Sequence, residues 1–411
     1  MGSQKGSQMK PRVAVIGAGL TGLSAAYFLR EKAQVTIFEK EARIGGRLFT
    51  DSVTGQEHGA QFILQRQSEP SIHKLIQRFG LELVEWKDWP GYEFGRHKAG
   101  HIAYGSPEDA AQDLLSPESA KRTKRLFKLI KEEAWGIPRG KFNQWISDRL
   151  MKDRQGVAFV DMLLAGETCA PANHVKAQYA LECLSSLYDR WYSLRGGSGK
   201  LVEALCENSG AQIIQTADVS EVKEIRGCVR INWSEGYERK SENFTAAIIA
   251  TPNGERLVGM PTRGHFHAYI SVLLDYQHRP QLKAKPKFDL SGGLYTDGPL
   301  NYIQLTKRKN SCVLRILIPN GGMMIRWREL DLVAYCVHHL SPYIAGVDQF
   351  HASSVQKWKF GLPCGGYKTG KGFQRIGHRI FLAGDRFGKW PSMDAAISSG
   401  LAVGKAFTHE L

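Results

Sequence analysis

The sequence predicts an α/β protein of two domains, one wound around a parallel sheet and the other combining a mixed sheet with helices. Three observations predict it. The chain opens on an apolar strand, a glycine-rich turn, a helix and a second strand, the pattern of a βαβ unit. It closes on another apolar strand, ended by Gly384 and Asp385, that runs into a helix. Between them lie a helical, basic stretch from about Gly91 to Arg190 and two apolar strand-like runs, Ala268 to Tyr276 and Ser311 to Pro319. A length of 411 residues accommodates two or three domains of ordinary size.

In the opening unit, Val13 to Ile16 reads as a buried parallel strand, Leu20 to Arg30 as a helix, and Val35 to Phe38 as a second strand. Gly17, Gly19 and Gly22 stand between the first strand and the helix. Gly17 permits the tight turn, Gly19 lets backbone N–H groups reach a pyrophosphate, and Gly22 allows helix and strand to pack closely. The helix start at Leu20 and Thr21 supplies the positive end of a dipole. Glu39, twenty-two residues after Gly17, sits at the strand end where an acid accepts hydrogen bonds from a ribose; Lys40 follows it. Strand, helix, strand and terminal acid together indicate a Rossmann-type dinucleotide site, where three glycines alone would indicate only a turn.

Downstream, Arg43 to Arg47 reads RIGGR and Glu57 to Phe62 reads EHGAQF. Gly45 and Gly46 let main chain reach phosphate oxygens, and Arg47 offers a charge-assisted donor. This pair of motifs resembles the FAD-binding opening of the flavin amine oxidase superfamily, which includes monoamine oxidases, protoporphyrinogen oxidases and renalases. The resemblance implies that Gly45, Gly46 and Arg47 sit against the FAD pyrophosphate, and that Gly59, Ala60, Gln61 and Phe62 run beside the isoalloxazine.

Two middle segments and the chain end extend it. Ser193 to Leu205 reads SLRGGSGKLVEAL, a glycine-rich turn feeding a helix, and the resemblance implies that Val219, in the strand pair after it, meets the adenine. Ala246 to Pro252, AAIIATP, resembles the strand that returns to the sheet, with Thr251 at its end. Arg379 to Asp385 and the helix from Ser392 form the last cofactor segment. Asp385 accepts from a ribityl hydroxyl or simply caps a turn, Gly384 precedes it, and the helix start at Met393 and Ala396 faces the flavin. The segment Val355 to Gly366 resembles the Trp-to-Pro stretch of the family, making Trp358, Phe360 and Trp390 candidates for the substrate pocket.

The implied fold is thus that of p-hydroxybenzoate hydroxylase and the amine oxidases. Residues 11–90, 193–260 and 365–411 form a discontinuous FAD-binding domain, and 91–192 and 261–364 the substrate domain. The expected function is removal of a hydride from a small organic substrate by FAD, with a C–H next to an amine nitrogen leading and O2 or another acceptor reoxidising the cofactor. A tetrapyrrole or isoprenoid desaturase, and a non-catalytic carrier on the same fold, remain alternatives. The sequence departs from the family at two places: Tyr269 to Tyr276 contains no lysine, and Pro391 and Ser392 stand where a cage tyrosine is expected. No cysteine lies in the final loop, so the FAD is expected to be non-covalent, and no catalytic residue is assigned.

Composition limits the partners. With 42% hydrophobic and 23% charged residues the chain is not disordered. The run from Val157 to Ala165 is broken by Asp161 and falls short of a membrane span. A net charge of +15 would attract nucleic acid, anionic lipid or an acidic substrate, but the basic residues lack the aromatic interleaving of a nucleic-acid site. Lys121 to Trp135 is a basic amphipathic helix carrying Leu126, Phe127, Leu129 and Ile130, read as a solvated helix with one face in the core or as a peripheral contact with anionic membrane. His265 with His267, and His338 with His339, lack a third ligand at metal spacing, so no metal is assigned. Seven scattered cysteines without a CxxC pair suit reduced thiols and a cytoplasmic location, and the polar first ten residues lack the apolar core of a secretory signal. Oligomeric state is not assigned.

Overall fold

The computed structural model describes residues 10–66, 70–88, 90–95, 102–262, 266–283, 290–319, 321–365 and 371–410. The opening pattern forms β1 (Arg12–Ile16), α1 (Leu20–Leu29) and β2 (Gln34–Phe38). They belong to a six-stranded sheet ordered Phe373–Ile376, Ile380–Ala383, Ala246–Ile249, β1, β2, Gln212–Ile214. All neighbours are parallel except the first pair. Both faces are covered, which explains why β1 reads as an unbroken apolar run rather than an alternating one. Val13 and Val15 pack with α1, the helix Gly199–Ser209 and the last helix, Met393–Glu410. Ala14 and Ile16 point the other way, toward the three-stranded meander Ala217–Ile225, Cys228–Glu235 and Glu238–Phe244.

A seven-stranded sheet makes the second layer, in the order Ala352–Pro363, Phe266–Tyr276, Cys312–Ile318, Tyr302–Lys307, Leu294–Thr296, Gly91–Glu93, Ala103–Tyr104. The two apolar runs noted in the sequence are antiparallel neighbours, Ile270 opposite Ile318. The sheet is mixed, because Leu294–Thr296 pairs parallel with Gly91–Glu93. Period-two alternation divides its faces. Ile270, Val272, Leu274, Leu314, Ile316 and Ile318 pack with the helix Glu329–Leu340. Tyr269, Tyr302 and Leu317 face the opposite way, toward a core built by the helices between Pro107 and Ser185.

The basic helix of the sequence spans Pro117–Lys131. Leu126, Phe127 and Ile130 are buried in that helical core, with Leu129 packed against it, so the apolar face is directed inward and the lysines and arginines outward. Among the described residues no helix is long and apolar enough to cross a membrane.

Candidate functional site

Both sheets contribute to one cavity of about 950 Å³, at the upper end of the range for small-molecule and cofactor sites. At one end, β1 delivers the chain into the turn before α1. Gly19 caps α1 without any side-chain bond to its first turn, which leaves those N–H groups to a ligand. A side chain at Gly22 would place its Cβ 2.0 Å from the Gly17 carbonyl oxygen, so only glycine lets the helix lie this close. Gly46, at φ +57°, faces Gly19 so nearly that an added Cβ would stand 3.3 Å from the Gly19 Cα. Two bare backbones therefore form the floor there, held by the Gly45 N–H donating to the Ala18 carbonyl at 2.8 Å.

Glu39 ends β2 and is buried; its carboxylate accepts from the backbone N–H groups of Ala18 (2.7 Å) and Glu41 (3.0 Å). Lys40, Asp218 and Val219 line the same end, with Lys40 Nζ 3.3 Å from the Asp218 carboxylate. Thr251, two residues past the return strand Ala246–Ile249, also lines the cavity. In the middle, Arg47 donates to Asp385 Oδ1 and to the Gly361 carbonyl, both at 2.8 Å. Burial works to lower the Arg47 pKa, but contact with Asp385 outweighs it and the net shift is upward.

The same cavity is lined by Gly59, Ala60, Gln61, Phe62, Trp358, Phe360, Trp390, Met393 and Ala396. Of the residues expected from the sequence, Gly17, Gly19, Leu20, Thr21, Glu39, Lys40, Gly45, Gly46, Arg47, Val219, Thr251 and Asp385 line it as well. Gly22 and Gly384 stand outside the lining: Gly22 packs α1 on β1, and Gly384, whose N–H donates to Ser399 Oγ at 2.8 Å, fixes the turn before Asp385.

The far end contains residues that motif reading missed. Gln61 Nε2 donates to Gln304 Oε1 at 3.0 Å, while Arg315 donates to Gln61 Oε1 at 2.5 Å and to the Gly59 carbonyl at 2.8 Å. Gln304 and Arg315 are opposite one another in neighbouring strands. Tyr269, Tyr295, Tyr302, Trp191, Cys169 and Glu167 complete the wall. The Tyr295 hydroxyl donates to Glu167 Oε1, and burial pushes the Glu167 carboxyl up to about 7 despite that bond. Burial also raises the Tyr269 and Tyr302 hydroxyls and pushes the Cys169 thiol up to about 12. The signal for Arg315 was available: it is the one charge in the otherwise apolar strand CVLRILI.

Behind the wall, His58 is wholly buried between two serines, Nδ1 3.1 Å from Ser271 Oγ and Nε2 2.8 Å from Ser354 Oγ. Burial lowers its pKa to about 4, so the ring is neutral at pH 7. Ser271 belongs to the strand in which no lysine is found. His265 lies outside the described residues; among those described, no group of three or more His, Cys, Asp or Glu is placed to hold a metal ion.

This geometry defines a nucleotide-cofactor protein with an aromatic-lined chamber. Its sequence from Leu20 to Gly404 matches the model of the flavin-containing amine oxidoreductases, and the chain belongs to that family. It is 25% identical over 278 residues to the L-amino-acid oxidase of Mus musculus, an alignment covering 60% of this chain and 42% of that one. It is 24% identical over 263 residues to the nicotine dehydrogenase of Pseudomonas putida, covering 58% and 52%. The chain thus spans about half the length of these curated relatives. Among solved structures, putrescine oxidase bound to putrescine superposes with a TM-score of 0.74 at 17% identity, over 98% of this chain and 99% of that one. Cyclohexylamine oxidase from Brevibacterium oxydans gives 0.74 at 15% identity, with the same coverage. These superpositions establish the amine oxidase fold.

The family's cofactor is a flavin, and the cavity fits FAD on its own chemistry. A buried carboxylate suits ribose hydroxyls, the bare Gly19 and Gly46 backbones and the uncapped α1 suit a pyrophosphate, and an apolar chamber next to Asp385 suits the ring system.

Proposed function

We propose that the protein is an FAD-dependent oxidoreductase that removes a hydride from a small organic substrate, a C–H next to an amine nitrogen being the leading target. The observation that carries this reading is the continuity of the cavity from Glu39 and Val219 to the chamber walled by Gln61, Tyr295, Tyr302 and Trp390. Residues 11–90, 193–260 and 365–411 would hold the cofactor, and 91–192 and 261–364 would shape the chamber. Gly17, Gly19, Gly45 and Gly46 would admit the pyrophosphate, Glu39 the ribose, Val219 the adenine and Asp385 the ribityl chain.

FAD supplies the hydride acceptor when bound. The chain's own contribution is positioning and electrostatics. The aromatic walls Trp191, Tyr269, Tyr295, Tyr302, Trp358 and Trp390 would lower the local dielectric around a bound substrate, which strengthens polar contacts to it. The Gln304–Gln61–Arg315 chain fixes the polar face of the chamber, and Glu167 is a carboxyl able to hold or give up a proton near neutral pH. O2 or another acceptor completes the cycle. The scattered cysteines, without a CxxC pair, are consistent with a reducing, cytoplasmic setting.

The test is an absorbance spectrum of the purified protein before and after heat release, followed by anaerobic mixing with a panel of amines. Flavin bands that bleach with an amine support the reading. A colourless protein that takes up no added FAD overturns it in favour of a carrier, and bound flavin untouched by every amine redirects the search to tetrapyrroles and isoprenoids.

A further inference from the structure

The chamber contains a buried cation without a counter-ion. Arg315 is 5% exposed and stands in the middle of the strand Cys312–Ile318. Both groups that it donates to, the Gln61 side-chain oxygen and the Gly59 carbonyl, are neutral. A guanidinium has five N–H donors; Nε of Arg315 is buried with no partner at all. Among the described residues Arg315 enters no ion pair. Glu167, which lines the same chamber, accepts instead from the Tyr295 hydroxyl. The positive field reaches Tyr269, Tyr302 and Cys169, where it opposes the larger upward push of burial on each.

An unpaired buried charge is strongly unfavourable. Neighbours hold this one in place rather than neutralise it: Gln304 accepts from Gln61 Nε2, which turns the Gln61 oxygen toward the guanidinium. The side chain lines the cavity beside Tyr269, Tyr302, Leu317 and Gln61, so a ligand in the chamber meets it directly.

We propose that Arg315 anchors a carboxylate of the substrate, so that the chamber takes organic acids carrying the oxidisable C–H rather than plain amines. The proposal rests on the reading of this cavity as the flavin site. A planar guanidinium matches a carboxylate through parallel N–H bonds. A simple ammonium ion at the same place meets like charge beside a buried guanidinium. A negative charge on the reduced cofactor is the other source of an anion here, and the experiment separates the two.

The experiment titrates the FAD-loaded protein with benzoate and, separately, with benzylamine, read by flavin difference spectra and by calorimetry. The expected result is saturable benzoate binding that benzylamine does not match. Arg315→Met, of similar length and without charge, weakens benzoate at least about tenfold. Arg315→Lys, which keeps the charge without the fork, falls between. Equal benzoate affinity in wild type and Arg315→Met, or wild-type binding of benzylamine alone, overturns the proposal. So does a wild type that ignores benzoate while Arg315→Met lowers the midpoint potential of the flavin, because the charge then serves the reduced cofactor. Benzoate binding by calorimetry in a protein that takes up no FAD would preserve the subsite and remove the flavin reading instead. Should Arg315→Met fail to fold, Arg315→Lys and the wild-type preference between the two probes decide.

Discussion

The two ends of the cavity are built by different means. At the nucleotide end, Gly17 to Glu39 and Arg43 to Arg47 are short contiguous stretches, and their polar groups are backbone or are paired, as Arg47 is with Asp385. At the chamber end, Gln61 arrives from a loop and Glu167, Tyr295, Gln304 and Arg315 from a helix and three separate strands; Arg315 has no counter-charge among the described residues, and burial disfavours the charged form of Glu167. Recognition of a constant ligand can be written into local backbone geometry. Recognition of a variable one is written into side chains on rigid strands, where a single substitution changes chemistry without disturbing the frame.

The nucleotide end should therefore break hardest when its backbone is touched. Gly22→Val forces a side chain to within 2.0 Å of the Gly17 carbonyl, and overpacking of that severity costs about 3 kcal/mol or more. We expect a large drop in Tm and no retained FAD, while a variant with normal stability and FAD would show that the packing of α1 on β1 is not what shapes the site.

Next in size is Arg47→Met. It leaves Asp385, whose side chain is 9% exposed, without its partner. Removing one member of a buried pair costs about 3–5 kcal/mol, and the partial exposure of Arg47 puts the expected loss near the lower figure. Urea unfolding measures it, and FAD affinity should fall in parallel; unchanged stability would mean that the pair contributes nothing net.

This contrast also explains what was legible in the sequence. Gly19, Glu39 and Asp385 could be placed because each follows closely on a strand whose apolar run is unmistakable, and Gly46 because it stands in the RIGGR motif. Arg315, Gln304 and Glu167 could not be joined, since their meeting depends on the register of Tyr302–Lys307 against Cys312–Ile318 and on which helix covers that face. The amphipathic helix Pro117–Lys131 was legible as a helix, but only packing shows that its apolar face is directed to the core. His58 lies inside the EHGAQF motif, but its buried setting could not be read there, because its serine partners lie 213 and 296 residues away.

The chamber end should reveal itself in pH dependence. Glu167 has its carboxyl raised from 4.5 to about 7 by burial, so the folded state keeps a proton that the unfolded chain has lost. Stability consequently falls as pH rises from about 4.5 to 7, by roughly 3 kcal/mol. His58 acts oppositely: with its pKa lowered from 6.5 to about 4, it makes the fold gain stability as pH rises through that window. The two slopes offset one another in wild type. Glu167→Gln, which still accepts from Tyr295, should leave the rising His58 limb exposed between pH 4.5 and 6.5 in urea titrations. A variant that tracks wild type at every pH would show that Glu167 is not held protonated.

The smallest effect sharpens the comparison by leaving both ends alone. Asp153 caps the helix Arg154–Thr168, accepting from the N–H groups of Gln155 (3.1 Å) and Gly156 (3.3 Å), and also takes a bond from Ser119 Oγ at 2.9 Å. Asp153→Ala should cost about 1 kcal/mol, the usual worth of such a cap. Because that helix carries Glu167 near its other end, the cap ties a structural device to a chamber residue without lining the chamber itself. If the frame is rigid, Tm drops by a few degrees while FAD affinity and the pH profile stay at wild-type values. A shifted pH profile would mean that the helix moves as the cap is lost, and that the chamber's chemistry depends on a frame softer than the strands beneath it.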